Sequence, residues 1–191
     1  EARTLSGTPA DCVKFALLEV LDSPPELVVS GPNVGINAGA DLFYRGTVAA
    51  ALEGGLYGLR SVAFSTNPGN ADRMESVAQQ ALRVLRLLPA AGCVFNVNIP
   101  LLGEEEPDVR FTRQSPAPPG ETYTQQQDPR GRPHYWLGST ANGDPPAPDT
   151  DVAAVAAGCI SVTPLRPDLT DVVALERLGR DASGRRGGLR A

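Results

Sequence analysis

Apolar residues recur along this chain in two alternating rhythms, one with the period of a helix and one made of short unbroken runs. Val13, Ala16, Leu17, Val20 and Leu21 return at spacings of three and four, the signature of an amphipathic helix. Just ahead of them, Thr8-Pro9-Ala10-Asp11 places a hydroxyl at the N-cap, a proline at the first helical position and a carboxylate near the positive end of the helix dipole. Asp22-Ser23-Pro24-Pro25 stops that helix. Glu26-Leu27-Val28-Val29-Ser30 follows as a nearly continuous apolar run, the pattern of a strand buried on both faces of a parallel sheet. The alternation continues with a small-residue helix over 47–56, a strand over 61–65, a long helix over 71–88, a strand over 93–99, a short helix over 151–157 and a strand over 159–163 closed by Pro164. Strands and helices in this order predict βαβ units and an α/β fold with a parallel, doubly wound sheet.

Between about 100 and 150 the rhythm breaks, and prolines, glutamines, glycines and aspartates punctuate short β-like pieces. Phe111-Thr112-Arg113 and His134-Tyr135-Trp136-Leu137 read as strands of an extended hairpin, an excursion of the kind that makes a lid or an oligomer contact. The expected organisation is one α/β domain over 1–174 with a β arm at about 100–150. Beyond it, residues 175–191 carry five arginines against Glu176 and Asp181 and read as a basic, disordered tail.

Composition narrows the function. With 20 Gly and 18 Pro in 191 residues, much of the chain is loop. Seventeen basic against 22 acidic residues give −5, which argues against a nucleic-acid duplex as partner. No apolar run approaches the roughly 20 residues of a membrane span, and the first residues lack the pattern of a signal peptide. Cys12, Cys93 and Cys159 are odd in number and far apart, and His134 is the only histidine, so a disulfide framework and a zinc site are both disfavoured. That cysteine usage suits a reducing, cytoplasmic compartment. The only Met is Met74, and a helix start lies within the first ten residues, so the chain is expected to begin in mid-domain, as a fragment would.

The chemistry-bearing stretch is 30–51, Ser-Gly-Pro-Asn-Val-Gly-Ile-Asn-Ala-Gly-Ala-Asp-Leu-Phe-Tyr-Arg-Gly-Thr-Val-Ala-Ala-Ala. It leaves the carboxyl end of a buried strand, the edge where open α/β sheets place ligands. It ends in Gly46-Thr47 before a helix of small residues, where free backbone N–H groups and the dipole face an anion. Asn33 and Asn37 offer neutral carbonyl oxygens for a hard cation or a hydrogen-bonded substrate. Neither a Walker A loop nor a G-x-G-x-x-G fingerprint is present. On composition alone, a turn of this kind serves geometry as readily as phosphate binding.

Several motifs occur together and in order: Thr-Pro-Ala-Asp-Cys-Val-Lys, Val-Val-Ser-Gly-x-Asn, Gly-x-Asn-x-Gly, Tyr-x-Gly-Thr-Val-Ala-Ala-Ala, Asn-Val-Asn-Ile-Pro, Asp-Pro-Arg-Gly with Tyr-Trp-Leu-Gly, and Thr-Asp-Val-Ala-Ala-Val before Ile-Ser-Val-Thr-Pro-Leu. From Gly7 to Thr170 the chain resembles the SurE family, survival protein E, a group of metal-dependent nucleotidases. The resemblance implies a Rossmann-like α/β phosphatase with a projecting β arm, acting on nucleoside monophosphates at the 5′ or 3′ position through one divalent ion, Mg2+ or Mn2+, and assembling as a homodimer or homotetramer. It implies that Asn33 is a metal ligand and that Gly46 and Thr47 cradle phosphate, with Asn37 and Arg45 as substrate contacts. Arg45 stands where the family usually has serine, so it either pairs with phosphate or fills the cradle. The family's other metal ligands, two aspartates of an amino-terminal Asn-Asp-Asp-Gly and a later serine, do not occur in these 191 residues. One asparagine carbonyl cannot hold the ion alone, so these residues by themselves are expected to be impaired as an enzyme. The catalytic groups are therefore not named within this chain. The alternative is a truncated, noncatalytic remnant that oligomerises or binds nucleotide weakly.

Other residues invite blander roles. His134, Tyr135 and Trp136 belong to arm packing or a subunit contact, Glu104-Glu105-Glu106 to a solvated turn, Cys12 to the inner face of its helix, and Asp41 to the capping of its own turn.

Overall fold

The computed structural model describes residues 2–89, 93–118, 120–139 and 145–187. Helix α1 (Pro9–Phe15) begins at a reciprocal cap, in which the Thr8 hydroxyl accepts the Asp11 amide at 3.2 Å and the Asp11 carboxylate accepts the Thr8 amide at 2.8 Å. It continues as a π-helical turn over Ala16–Val20. Then come β1 (Val28–Val34), a 3-10 turn (Gly39–Tyr44), α2 (Gly46–Leu56), β2 (Ser61–Thr66), a second 3-10 turn (Pro68–Arg73), α3 (Met74–Leu87) and β3 (Val94–Ile99). The second half holds β4 (Val109–Phe111), β5 (Glu121–Gln127), β6 (Pro133–Ser139), α4 (Asp151–Ala156), β7 (Ile160–Leu165) and α5 (Val172–Gly187).

The central sheet has five strands in the order β1-β2-β3-β7-β4. β1, β2 and β3 run parallel, β7 runs against β3, and β4 runs with β7. The mostly parallel α/β architecture expected from the alternation of elements is thus present. On one face Val62, Phe64, Phe95, Val97, Ile99, Ile160 and Val162 form the main core against Val77, Ala81, Val84 and Leu88 of α3 and its end. On the other face Ala63 and Val94 meet Val48 and Ala51 of α2. The small residues of α2 let it lie close to the sheet: a Cβ at Gly54 would strike Ser61 and Val28, and one at Gly55 would strike Val94.

Phe111-Thr112-Arg113 is corrected from an arm strand to the edge of the central sheet. The Ile160 amide donates to the Asp108 carbonyl, the Thr112 amide donates to the Val162 carbonyl, and half-buried Val109 packs on the main core. Main-chain bonds to β7 and the packing of Val109 place this segment in the sheet, whereas the observed partner of 134–137 is a polar strand the hydrophobic pattern could not mark. That strand is β5, Glu-Thr-Tyr-Thr-Gln-Gln-Gln, paired antiparallel with β6 from Glu121 opposite Ser139 to Gln127 opposite Pro133. The hairpin projects with Tyr123, Tyr135, Trp136 and Leu137 exposed. At its turn the Asp128 carboxylate accepts the amides of Arg130 and Arg132 at 2.8 and 2.9 Å. Cys12 is exposed rather than inward-facing, because α1 and its π turn present Val13, Ala16, Leu17 and Val20 to the interior. Where the sequence reading has disordered chain from 175, α5 is helical through Gly187; residues 188–191 lie outside the described residues.

Candidate phosphate-binding site

β1 ends in an irregularity that opens the site loop. The parallel register with β2 shifts between Ser30 and Asn33. At the bend Gly31 has φ +96°, and any Cβ there would run into the backbone carbonyl of Phe64, so both conformation and space require glycine. Half-buried Asn33 then donates from Nδ2 to the Gly35 carbonyl at 2.9 Å, a bond that does not use its Oδ1.

The loop is next clamped to the sheet through Asn37. Its amide donates to Asn98 Oδ1 at 2.8 Å, and its carbonyl accepts Nδ2 of Asn96 and of Asn98 at 2.7 and 3.1 Å. Asn37 Nδ2 donates to Ser65 Oγ at 2.7 Å, and Asn98 Nδ2 reaches Ser161 Oγ at 3.4 Å. Asn37, Ser65, Asn96, Asn98 and Ser161 are all fully buried. Asn37 Oδ1 and Asn96 Oδ1 nevertheless have no protein hydrogen-bond partner. Buried amide oxygens rarely stay unpaired, which sets these two acceptors beside the loop apart from most of the buried polar groups. Asn37, read as a substrate contact, is held mainly by other side chains.

A second clamp holds Gly39. Its amide donates to Asp151 Oδ2 and its carbonyl accepts Gln114 Nε2, each at 2.9 Å. From there the 3-10 turn, anchored by buried Leu42, carries the chain to α2. No side chain caps α2, so the first-turn amides of Gly46 and Thr47 remain available to an anion. Gly46 lies against α1: a Cβ there would come within 2.9 Å of Pro9 Cγ. The Thr8 hydrogen bonds that fix Pro9 in place also hold the Asp11 carboxyl below its ordinary value of 3.8. Arg45 donates from Nη2 to Asp41 Oδ2 at 2.8 Å on a partly exposed surface. The Asp41 carboxylate thus pairs with Arg45.

Asn33, Asn37, Arg45, Gly46 and Thr47 therefore lie on one continuous loop and helix start. Sequence reasoning missed the residues that hold the loop: Ser65, Asn96, Asn98, Gln114, Asp151 and Ser161. A signal existed in β3, where Asn96 and Asn98 alternate with Phe95, Val97 and Ile99, since polar residues at period two in a buried strand mark a polar face. Among the described residues no group of three His, Cys, Asp or Glu side chains could hold a metal ion. Neutral amide oxygens such as Asn33 Oδ1, without a carboxylate cluster beside them, do not by themselves fit a divalent cation.

Residues 1–120 match the family model described as Survival protein SurE. The 5′-nucleotidase SurE of Methylococcus capsulatus is 39% identical over 186 residues, covering 95% of this chain and 74% of the relative. This chain belongs to the SurE family. The 5′-nucleotidase SurE of Rhodopirellula baltica is 41% identical over 175 residues, covering 88% of this SurE chain and 69% of the relative. A crystal structure of the Sure protein from Aquifex aeolicus superimposes with a TM-score of 0.76 at 36% identity, over 90% of this SurE chain and 71% of that one. Among the described residues no helix is long and apolar enough to cross a membrane.

Proposed function

We propose that this SurE chain carries the phosphate-holding part of a phosphomonoester hydrolase acting on nucleoside monophosphates, a 5′/3′-nucleotidase. The observation that carries the reading is the uncapped start of α2 at the end of a loop clamped at Asn37 and Gly39. Phosphate binds to the amides of Gly46 and Thr47, where the helix dipole favours negative charge. The Thr47 hydroxyl adds a donor, and Arg45 contributes a guanidinium N–H while Asp41 holds its Nη2. Asn33 orients the substrate or contributes one oxygen to a divalent ion, Mg2+ or Mn2+, which the described residues do not hold by themselves. The relatives' names support the substrate class. The exposed aromatic hairpin suits self-association as a dimer or tetramer.

The test is phosphate release from AMP and an aryl phosphate with Mg2+ or Mn2+, by this chain and by a longer polypeptide carrying Asn-Asp-Asp-Gly upstream. Release by the longer form, abolished by Asn33→Ala, is the expected result. Release by neither form overturns the reading. It would favour a noncatalytic, oligomerising or weakly nucleotide-binding protein, for which the absence of a carboxylate cluster among the described residues is the supporting observation.

A further inference from the structure

The carboxylate that clamps Gly39 reaches further than the site loop. Asp151 is 0% exposed at the first position of α4, where Thr150 already caps the helix by accepting the Ala153 amide. Its Oδ2 accepts the Gly39 amide at 2.9 Å, while Oδ1 accepts the amides of Ser115 at 2.9 Å and Val152 at 2.8 Å. Two of these three donors belong to distant segments. Gly39 opens the 3-10 turn that leads to Gly46, and Ser115 lies on the chain between β4 and the β5–β6 arm. The neighbouring Gln114 closes the same junction by donating to the Gly39 carbonyl at 2.9 Å. Arg113 completes it, because its carbonyl accepts the Asp151 amide at 3.0 Å.

We propose that Asp151 is a positioning residue, which sets the Gly39–Thr47 segment for phosphate and ties it to the root of the β arm. The proposal rests on the phosphate-binding reading of Gly46 and Thr47. The physical argument is that a carboxylate accepts at both oxygens, so one buried group can satisfy donors on two sides. An amide cannot: with Asn at this position, if Oδ1 keeps Ser115 and Val152, the NH2 faces the Gly39 N–H and repels it. A residue that merely capped α4 would tolerate the change, because the Val152 bond survives.

Asp151→Asn separates these roles when examined by hydrogen exchange alongside binding of inorganic phosphate. Faster exchange is expected in 37–47 and in 112–118, with exchange in β2 and β3 unchanged, and the phosphate Kd is expected to rise about tenfold, the scale of losing a supporting hydrogen bond behind a binding group. Asp149→Asn is the control. It breaks the exposed Arg113–Asp149 pair at the same junction without touching Gly39, and should leave phosphate affinity unchanged. Unchanged exchange at 37–47 in Asp151→Asn overturns the proposal, as does a uniform rise that includes β2 and β3. If the parent protein binds no phosphate, the functional reading falls, and exchange at 37–47 still decides whether Asp151 positions the loop.

Discussion

β3 shows two environments on one strand. Toward α3 it presents Phe95, Val97 and Ile99, which sit in a continuous apolar core. Toward α2 it presents Val94, Asn96 and Asn98, of which the two asparagines hold the site loop by hydrogen bonds. The apolar face is stabilised by area and close packing, whereas the polar face is stabilised only while each donor meets its acceptor. Another buried asparagine sharpens the contrast. Asn70 donates from Nδ2 to Thr66 Oγ1 and the Pro100 carbonyl, and its Oδ1 accepts the Leu102 amide. Asn37 and Asn96 instead each keep an unpaired Oδ1. A fully satisfied amide fastens one loop to the sheet; the incompletely satisfied cluster fastens the candidate site loop.

The largest effect should come from the apolar face. Phe64→Ala removes a ring that is 1% exposed and should cost about 3–5 kcal/mol, read from the urea midpoint, with phosphate affinity preserved in the fraction that remains folded. On the polar face, Asn98→Leu strands the Asn37 amide and should cost about 1–3 kcal/mol; calorimetry should also show weakened phosphate binding. Asn70→Leu should cost a similar amount and leave phosphate binding intact, so equal losses of affinity in both variants would erase the distinction between the two clusters. Thr8→Ala removes the cap of α1 and should cost about 1 kcal/mol, with a small loss of phosphate affinity as Pro9 loosens against Gly46.

The smallest effect concerns pH at the arm root and tip. The Arg113 hydrogen bond holds the Asp149 carboxyl below its ordinary value of 3.8, and the Arg132 backbone and side chain do the same for Asp128. A carboxylate depressed in the folded protein binds protons less readily than in the unfolded chain. Its contribution is therefore present above the ordinary value and lost as the pH falls through the depressed one. Both pairs are exposed, so their protonation below the ordinary carboxyl value, followed by NMR, should leave hydrogen exchange in the main core unchanged.

The site loop, the helix start and most of the elements were legible because each depends on local signals. Gly46-Thr47 before Val-Ala-Ala-Ala announces the start of α2, and Thr8-Pro9 announces α1. β5 was not legible, since Thr-Tyr-Thr-Gln-Gln-Gln buries nothing and gains its strand geometry only by pairing with β6. Phe111 misled for the opposite reason: it is exposed in the structure, and the segment's place in the sheet is set by Val109 and by main-chain bonds to β7.

By itself the sequence determined the alternation of strands and helices, the Gly- and Asn-rich turn and the ordered motifs of the SurE family, because hydrophobic period, capping and glycine placement act between near neighbours. Only the tertiary structure decided that Asn98, Ser65, Asp151 and Gln114 hold that turn. Their bonds join residues 28 to 112 positions apart, and a hydrogen bond across that separation exists only after the sheet has brought its partners together.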